Sequence, residues 1–223
     1  MSAHPILCIC ALTYDVILHL PETPSEPGKF MANTLCASAF GIASIATTTV
    51  AKTGHPVALW SNAGVDMPRD FFGAEMAREG IATVLIRRVL GMPSAAATNS
   101  VDAKGERVLV LYYQPILTRP TDATSTISAV SFSAVMSDLR WPMATGVALG
   151  ASREHGSPAI LDLDVGPVGV LADLAPRANH VVASTAFAGV LTSADTAEAA
   201  VRALAKLTTA EVIVVRTGER ALG

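Results

Sequence analysis

Short apolar runs alternate with segments of helical period along most of the chain. The clearest unit has an apolar run that ends near Arg140, a helical segment from Pro142 to Gly156, and a second apolar run that ends at Asp162 and Asp164. Proline suits the first turn of a helix, and glycine suits the left-handed residue that closes one. The pattern therefore predicts a β-α-β unit.

Both strands of this unit end in charged residues. In an open parallel sheet, ligands bind in the crevice beyond the carboxyl ends of the strands. We therefore expect Arg140, Asp162 and Asp164 to face a common site. The alternative is that they are solvated loop charges.

The same alternation continues on both sides of this unit. Further strands are expected at 6–12, 57–60, 81–89, 180–183 and 212–215, and helices at 41–52, 68–78, 168–174 and 196–207. Repeated β-α units imply a mainly parallel, right-handed sheet covered by helices. The fold class is therefore α/β, and Asp15 is expected where the first strand ends.

Two stretches break the alternation and predict a small β lid. Extended segments at 16–20 and 30–39 are joined by a Pro/Gly turn, and the segments 94–101 and 106–113 form a hairpin around Asp-Ala-Lys-Gly. We assign residues 1–12, 40–93 and 114–223 to an α/β core that is incomplete at its C-terminus, and residues 13–39 and 94–113 to the lid.

Composition narrows the classes of partner. The 223 residues are 51% hydrophobic and 16% charged, with mean hydropathy +0.44, which fits buried parallel strands. The net charge is -3, so the protein lacks the excess of positive charge that attracts phosphates. Nucleic acid is therefore not expected as a partner. No apolar run approaches the roughly 20 residues that span a bilayer, so a cytoplasmic protein without a membrane partner is expected. The three cysteines and five histidines lack metal-ligand spacing, and no metal site is assigned to them.

The order of motifs resembles the ribokinase-like PfkB carbohydrate kinases over essentially all of the chain. It comprises a lead strand, a β flap, a glycine before the first helix, Gly-Val-Asp before the second, Gly-Glu-Arg in the flap hairpin and a glycine turn after a late strand. Asp138-Leu139-Arg140-Trp141 and Asp162-Leu163-Asp164 are most similar to the sulfofructose-kinase-like branch.

The resemblance implies a Rossmann-like domain with a β lid that phosphorylates a sugar hydroxyl with ATP and Mg²⁺. Asp15 would hold sugar hydroxyls, and Gly41 would let the backbone approach the sugar. Asp66 and Arg107 match further substrate-side positions, and Gly218 matches the nucleotide side. Family members often dimerise through the lid, and an exposed flap leaves unpaired edges, so a homodimer is expected.

Several positions depart from the family pattern. Phe40 stands in a usual run of glycines, Arg69 at a usual glycine and Arg216 at a usual threonine of the nucleotide turn. Ser184-Thr185-Ala186-Phe187 replaces a motif whose Glu supports the metal, so the magnesium site is expected to be incomplete.

The family's Gly-Ala-Gly-Asp segment, which holds the transferring phosphate and the general base, is absent from these 223 residues. No catalytic residue is therefore assigned, and the 223 residues alone are predicted to have no sugar kinase activity. Two interpretations follow. One is a PfkB-type sugar kinase of which this chain is a truncated or incomplete part. The other is a non-catalytic relative that binds a small polar ligand or a partner protein.

Other roles remain open for individual residues. Asp66 could cap the helix that begins around Pro68. Arg107 could simply be solvated, and Trp141 is expected in the core. Tyr112 and Tyr113 could cover a ligand or pack between subunits.

Overall fold

The structure, a computed structural model, describes residues 4–10, 12–83, 85–114, 132–164 and 168–217. The strands are β1 (Ile6–Ile9), β2 (Thr13–His19), β3 (Thr34–Phe40), β4 (Val57–Ala63), β5 (Ile86–Arg88), β6 (Ala95–Val101), β7 (Arg107–Tyr112), β8 (Ala134–Asp138), β9 (Ala159–Leu163), β10 (His180–Ser184) and β11 (Val212–Arg216). The helices are α1 (Ile42–Lys52), α2 (Met67–Arg78), α3 (Pro142–Glu154), α4 (Leu171–Leu174), α5 (Thr185–Thr192) and α6 (Ala197–Leu207), with single 3₁₀ turns at Val168–Val170 and Ala175–Arg177.

A parallel sheet forms the centre of the molecule. Within the described ranges its strand order is β11-β10-β9-β8-β1-β4-β5, and each of these neighbours pairs in parallel. The chain builds outward from β1 to β4 and β5, then returns to place β8 on the other side of β1. The strand order therefore reverses between β1 and β8, which is the place where open α/β sheets bind ligands.

Helices cover this sheet, and their ends follow the predicted signals. Pro142 begins α3, and Gly156 closes it with a positive φ of 70°. The Thr196 side chain accepts a hydrogen bond from the amide of Ala199 and so caps α6. Thr47 of the threonine run in α1 is fully buried, so packing against the sheet favours a helix where propensity does not. No helix among the described residues is long and apolar enough to cross a bilayer.

The lid is a second, mixed sheet with the order β3-β2-β6-β7 in the part of the chain that is described. β2 pairs antiparallel with β3 and parallel with β6, and β6 pairs antiparallel with β7. Asp102 fixes the hairpin turn, because its side chain accepts hydrogen bonds from the amides of Lys104 and Glu106. The α/β class and the lid sheet are thus confirmed.

Two local predictions were wrong, and one helix was not predicted. Asp15 lies inside β2, not at the end of the first strand, because the chain leaves β1 and continues directly into the lid. The strand expected at 81–89 is reduced to Ile86–Arg88 and an isolated bridge at Ala82. The segment Thr185–Thr192 is a helix that the sequence pattern did not indicate. The segment 114–125 is polar and contains prolines, which predicts a surface loop, but residues 115–125 lie outside the described residues.

Candidate functional site

Charged side chains meet at the carboxyl ends of β8, β9 and β11. Asp138 and Asp162 are register partners on neighbouring strands, and both are almost fully buried. Asp164 follows directly after β9, and Arg216 ends β11. The strand order brings Arg140, Asp162 and Asp164 to one edge of the sheet, as the sequence pattern predicted.

Arg140 and Asp138 form the most buried part of this cluster. The backbone N–H of Arg140 donates to Asp138 Oδ1 at 2.8 Å, and Arg140 Nε lies 3.6 Å from Asp138 Oδ2. Burial raises the pKa of Asp138 to about 6, against the opposing positive charge of Arg140. The carboxylates of Asp162 and Asp164 add to this rise. The site therefore contains a carboxyl group that changes charge near neutral pH.

The loop after Arg140 is held by aromatic packing. Trp141 is 1% exposed, and its ring meets that of Trp60 edge to face with centroids 5.0 Å apart. The expectation that Trp141 belongs to the core is confirmed. The hydroxyl of Tyr113, directly after β7, donates to the carbonyl of Arg140 at 3.3 Å and ties the lid to the same loop.

Arg216 contacts the two carboxylates in the second part of the cluster. Its Nη2 atom lies 3.4 Å from Asp162 Oδ1 and 3.9 Å from Asp164 Oδ1. Burial raises the pKa of Asp162, and the positive charge of Arg216 offsets part of that rise. The hydroxyl of Thr185 donates to the carbonyl of Arg216 and fixes its backbone. A residue that the sequence marked only as a departure thus belongs to the cluster.

Asp15 approaches this edge from the lid. It is 9% exposed, and its Oδ1 atom has no hydrogen-bond partner among the described residues. Burial raises the pKa of Asp15, while a hydrogen bond from the Thr13 side chain and the positive charge of Arg140 act in the opposite direction. Because Arg140 acts on Asp15, the two side chains belong to one electrostatic environment.

Gly41 lies at the base of the lid, immediately before α1. It is buried and has a φ of 124°, a conformation that a side chain would strain. Its carbonyl accepts hydrogen bonds from Ser44 Oγ and from the amide of Ile45. The preceding residue, Phe40, pairs with Thr13, so the positive end of α1 begins close to the start of β2.

Asp66 and Arg107 do not join this cluster. Both carboxylate oxygens of Asp66 accept hydrogen bonds from Ser94, at the junction of core and lid. Arg107 is exposed at the far end of β7, opposite Val101, and strand spacing puts it about 16 Å from Asp15. Gly218 and the side chains of Phe40 and Arg69 lie outside the described residues.

Sequence reasoning did not assign Asp138 to the cluster, and it did not predict the contact of Ser94 with Asp66. The available signal for Asp138 was its position at the end of β8, next to Arg140. The only signal for Ser94 was its position at the start of the predicted lid strand 94–101. The described residues contain no group of three or more His, Cys, Asp or Glu side chains that could hold a metal ion.

Solved structures share this architecture. A provisionally named ribokinase from Agrobacterium tumefaciens is 32% identical, covering 97% of this chain and 71% of that chain, with a TM-score of 0.90. The ribokinase of Arabidopsis thaliana, solved with ribose and ATP, is 18% identical over 97% of this chain and 72% of its own, with a TM-score of 0.75. A PfkB protein from Polaromonas sp. JS666 is 17% identical over 97% of this chain and 77% of its own, with a TM-score of 0.78.

No model of a protein family matches the sequence. The two more distant structures show the fold alone, whereas 32% identity over nearly the whole of this chain shows common family membership. The chain therefore belongs to the ribokinase/PfkB family of carbohydrate kinases.

Proposed function

We propose that the protein binds a sugar between the lid and the carboxyl ends of β1 and β8 and presents one of its hydroxyls for ATP-dependent phosphorylation. The observation that carries this proposal is Asp15, a buried carboxylate on the lid with an oxygen that no described group satisfies. A buried acceptor without a donor is costly, and a ligand hydroxyl would remove that cost.

The chemistry of Asp15 suits a polyol. An ionised carboxylate accepts hydrogen bonds through two oxygens and can hold two hydroxyls of one sugar. Burial raises the pKa of Asp15, and the positive charge of Arg140 opposes this rise and so favours the ionised form. Arg140 itself, 14% exposed in its side chain, could also reach a polar group on the substrate.

The sugar itself is proposed from the similarity to sulfofructose kinases, which rests on Asp138-Leu139-Arg140-Trp141 and Asp162-Leu163-Asp164. Ketoses and their sulfonated forms are therefore the first substrates to examine. A ribokinase neighbour was solved with ribose, and a nucleoside kinase from Burkholderia thailandensis with inosine, so pentoses and nucleosides complete the panel.

ATP is proposed as the phosphoryl donor. The Arabidopsis ribokinase was solved with ATP and the Cryptococcus neoformans ribokinase with ADP, which supports a nucleotide as a ligand of this chain. Gly218 is the proposed contact on the nucleotide side. Magnesium would neutralise phosphate charge in such a reaction. The part of the chain that is described contains no group of three or more His, Cys, Asp or Glu side chains that could hold it.

Calorimetric titration of the sugar panel tests the binding proposal. The chain should bind at least one sugar, and Asp15→Asn should weaken that binding by about 10- to 100-fold, as expected for loss of a hydrogen bond to a charged group. Asp195→Asn, a charge change at an exposed position far from the lid, should leave the affinity unchanged. Binding that is unaffected by Asp15→Asn would refute the role given to this residue.

Phosphoryl transfer by these 223 residues is a separate question. They contain no Gly-Ala-Gly-Asp segment, and the prediction from the sequence remains that these residues alone have no sugar kinase activity. The test is ATP consumption with the sugar that binds best. Sugar-dependent release of ADP would contradict the prediction and support the kinase interpretation directly.

The alternative is a non-catalytic relative that binds a small polar ligand or a partner protein. The contacts of Arg216 with Asp162 and Asp164 favour it, because the guanidinium lies where the family has a small threonine. Titration with ATP and ADP should separate the two proposals. Nucleotide binding that appears only in Arg216→Thr supports the non-catalytic function, whereas binding by the unchanged chain supports the kinase.

A further inference from the structure

The lid face that carries Asp15 can be traced through strand register. Asp15 of β2 pairs with Ala97 of β6, and their side chains point to the same side of the lid. Side chains alternate along a strand, so Asn99, two residues beyond Ala97, points to that side as well. Strand spacing puts the Cα atoms of Asp15 and Asn99 about 8 Å apart. We call this side of the lid the Asp15 face.

The Asp15 face is directed toward the carboxyl edge of the core sheet. Arg140, at that edge, acts electrostatically on Asp15. Tyr113 lies one residue beyond β7, and its hydroxyl reaches the carbonyl of Arg140. The opposite face is directed elsewhere, since Tyr14 packs edge to face on Phe71 of α2.

Asn99 shares the unusual property of Asp15. Its Oδ1 atom is buried, and no donor in the described part of the chain reaches it. Two such acceptors on one face of a small sheet are not needed by the fold, since an apolar side chain would avoid the cost of each. Hydroxyl groups of a ligand would satisfy both.

The neighbours of Asn99 suit a sugar. Leu109 pairs with Asn99 on β7 and is 51% exposed, so it offers apolar surface beside the amide. The terminal torsion of asparagine is broad, and its rotation can present either the carbonyl or the NH₂ group. The amide can thus accept from a hydroxyl or donate to one.

We infer that Asn99 is a specificity-determining residue that binds a sugar hydroxyl other than the one held by Asp15. The inference rests on the proposed sugar-binding function. Asp15 and Asn99 together select a ligand with hydroxyls on two parts of its ring. A site built to hydrogen-bond a hydroxyl discriminates strongly against the analogue that lacks it.

Calorimetric titration with the best-binding sugar and its monodeoxy analogues tests this inference. The variant is Asn99→Leu, which keeps the side-chain shape and removes its polar atoms. It should weaken binding of the parent sugar by about 10- to 100-fold and leave the affinity for one deoxy analogue unchanged. Thr98→Val, the adjacent position on the opposite face, is the matched control and should change neither affinity.

The outcomes separate a binding role from a structural one. Equal weakening of the parent and of every deoxy analogue by Asn99→Leu, or no change with any of them, would overturn the inference. Asn99→Asp provides a second variant that keeps the polar shape, and it should again affect one analogue less than the parent. If the unchanged chain binds no sugar, the proposed function and this inference both fail. If Asp15→Asn weakens binding while Asn99→Leu does not, only this inference fails.

Discussion

Ser94 donates two hydrogen bonds to Asp66, from its amide to Oδ2 at 2.6 Å and from its hydroxyl to Oδ1 at 2.7 Å. The same hydroxyl accepts from the amide of Gly64 at 2.9 Å. Asp66 immediately precedes α2, and Ser94 immediately precedes β6. This pair of residues therefore joins the core to the start of a lid strand.

Ser94→Ala should weaken the attachment of the lid. The change removes the hydroxyl bonds to Asp66 and Gly64, and we expect a loss of about 1–3 kcal/mol in the free energy of unfolding. Amide hydrogen exchange in β6 should also become faster. Ser100→Ala, at the other end of β6, is the control. Equal exchange rates in the two variants would show that the Ser94 contact does not hold the strand.

Gly64→Ala should destabilise the protein strongly. A Cβ atom at this position would lie 2.3 Å from the carbonyl oxygen of Met92 and 2.7 Å from the amide nitrogen of Ser94, so the backbone would have to move. We expect a loss of about 3 kcal/mol or more in urea unfolding.

The matched control is Gly73→Ala in α2, where a Cβ would meet no atom within 4 Å. That variant should gain about 0.5–1 kcal/mol, because alanine favours a helix interior. Similar effects of the two substitutions would mean that the close approach at Gly64 is not needed for stability.

Asp138→Asn should change how stability depends on pH. The native pKa of Asp138 is raised from 3.8 to about 6, so between these values the native state binds more protons than the unfolded state. The Asp138 carboxyl therefore lowers the stability of the protein as pH rises through this window, by up to ~3 kcal/mol.

Asparagine cannot ionise, so the stability of the variant relative to the unchanged chain should increase from about pH 4 to pH 6 and level off above pH 6. Urea unfolding at intervals of half a pH unit measures this difference. A difference that is constant across the window would show that Asp138 ionises normally in the fold.

Val110→Lys should abolish the proposed dimer. β7 is an edge strand of the lid, and Val110 on it is 66% exposed. A lysine there would charge the apolar edge that a second copy is proposed to cover. Sedimentation velocity at micromolar concentration should show a dimer for the unchanged chain and a monomer for the variant.

Val190→Lys provides the control, since Val190 is 72% exposed on α5, away from the lid. It should remain dimeric. A monomeric unchanged chain would refute the dimer, and dissociation of both variants would refute its location on β7.

The fold was predictable where local signals agree. Pro142 at the start of a helix and Gly156 at its end fixed the bounds of α3, and Asp102 with Gly105 fixed the lid hairpin. The placement of Asp15 in the lid could not be predicted, because the sequence of an extended segment does not reveal which sheet it joins. β2 continues from β1 with little break, and only its pairing with β3 and β6 makes it part of the lid.

The candidate site was predictable to the extent that it depends on strand ends. Asp162 and Asp164 follow a parallel strand, and such ends share one edge of the sheet. The partnership of Arg216 with these residues was not predictable, because it depends on the side chain reaching past β10 from β11 to β9. The separation of Arg107 from the cluster depends likewise on the length and direction of β7.

The parallel pairing of β2 with β6 also bears on how the protein folds. Asp15 pairs with Ala97, and the segment between them includes β4 and α2. This part of the lid can therefore form only when a long loop of the chain closes. Closing so long a loop is entropically costly, and contacts of this separation slow folding. The surface that carries Asp15 and Asn99 should therefore form late, after the central strands have assembled. Substitutions in β6 should then accelerate unfolding more than they slow refolding.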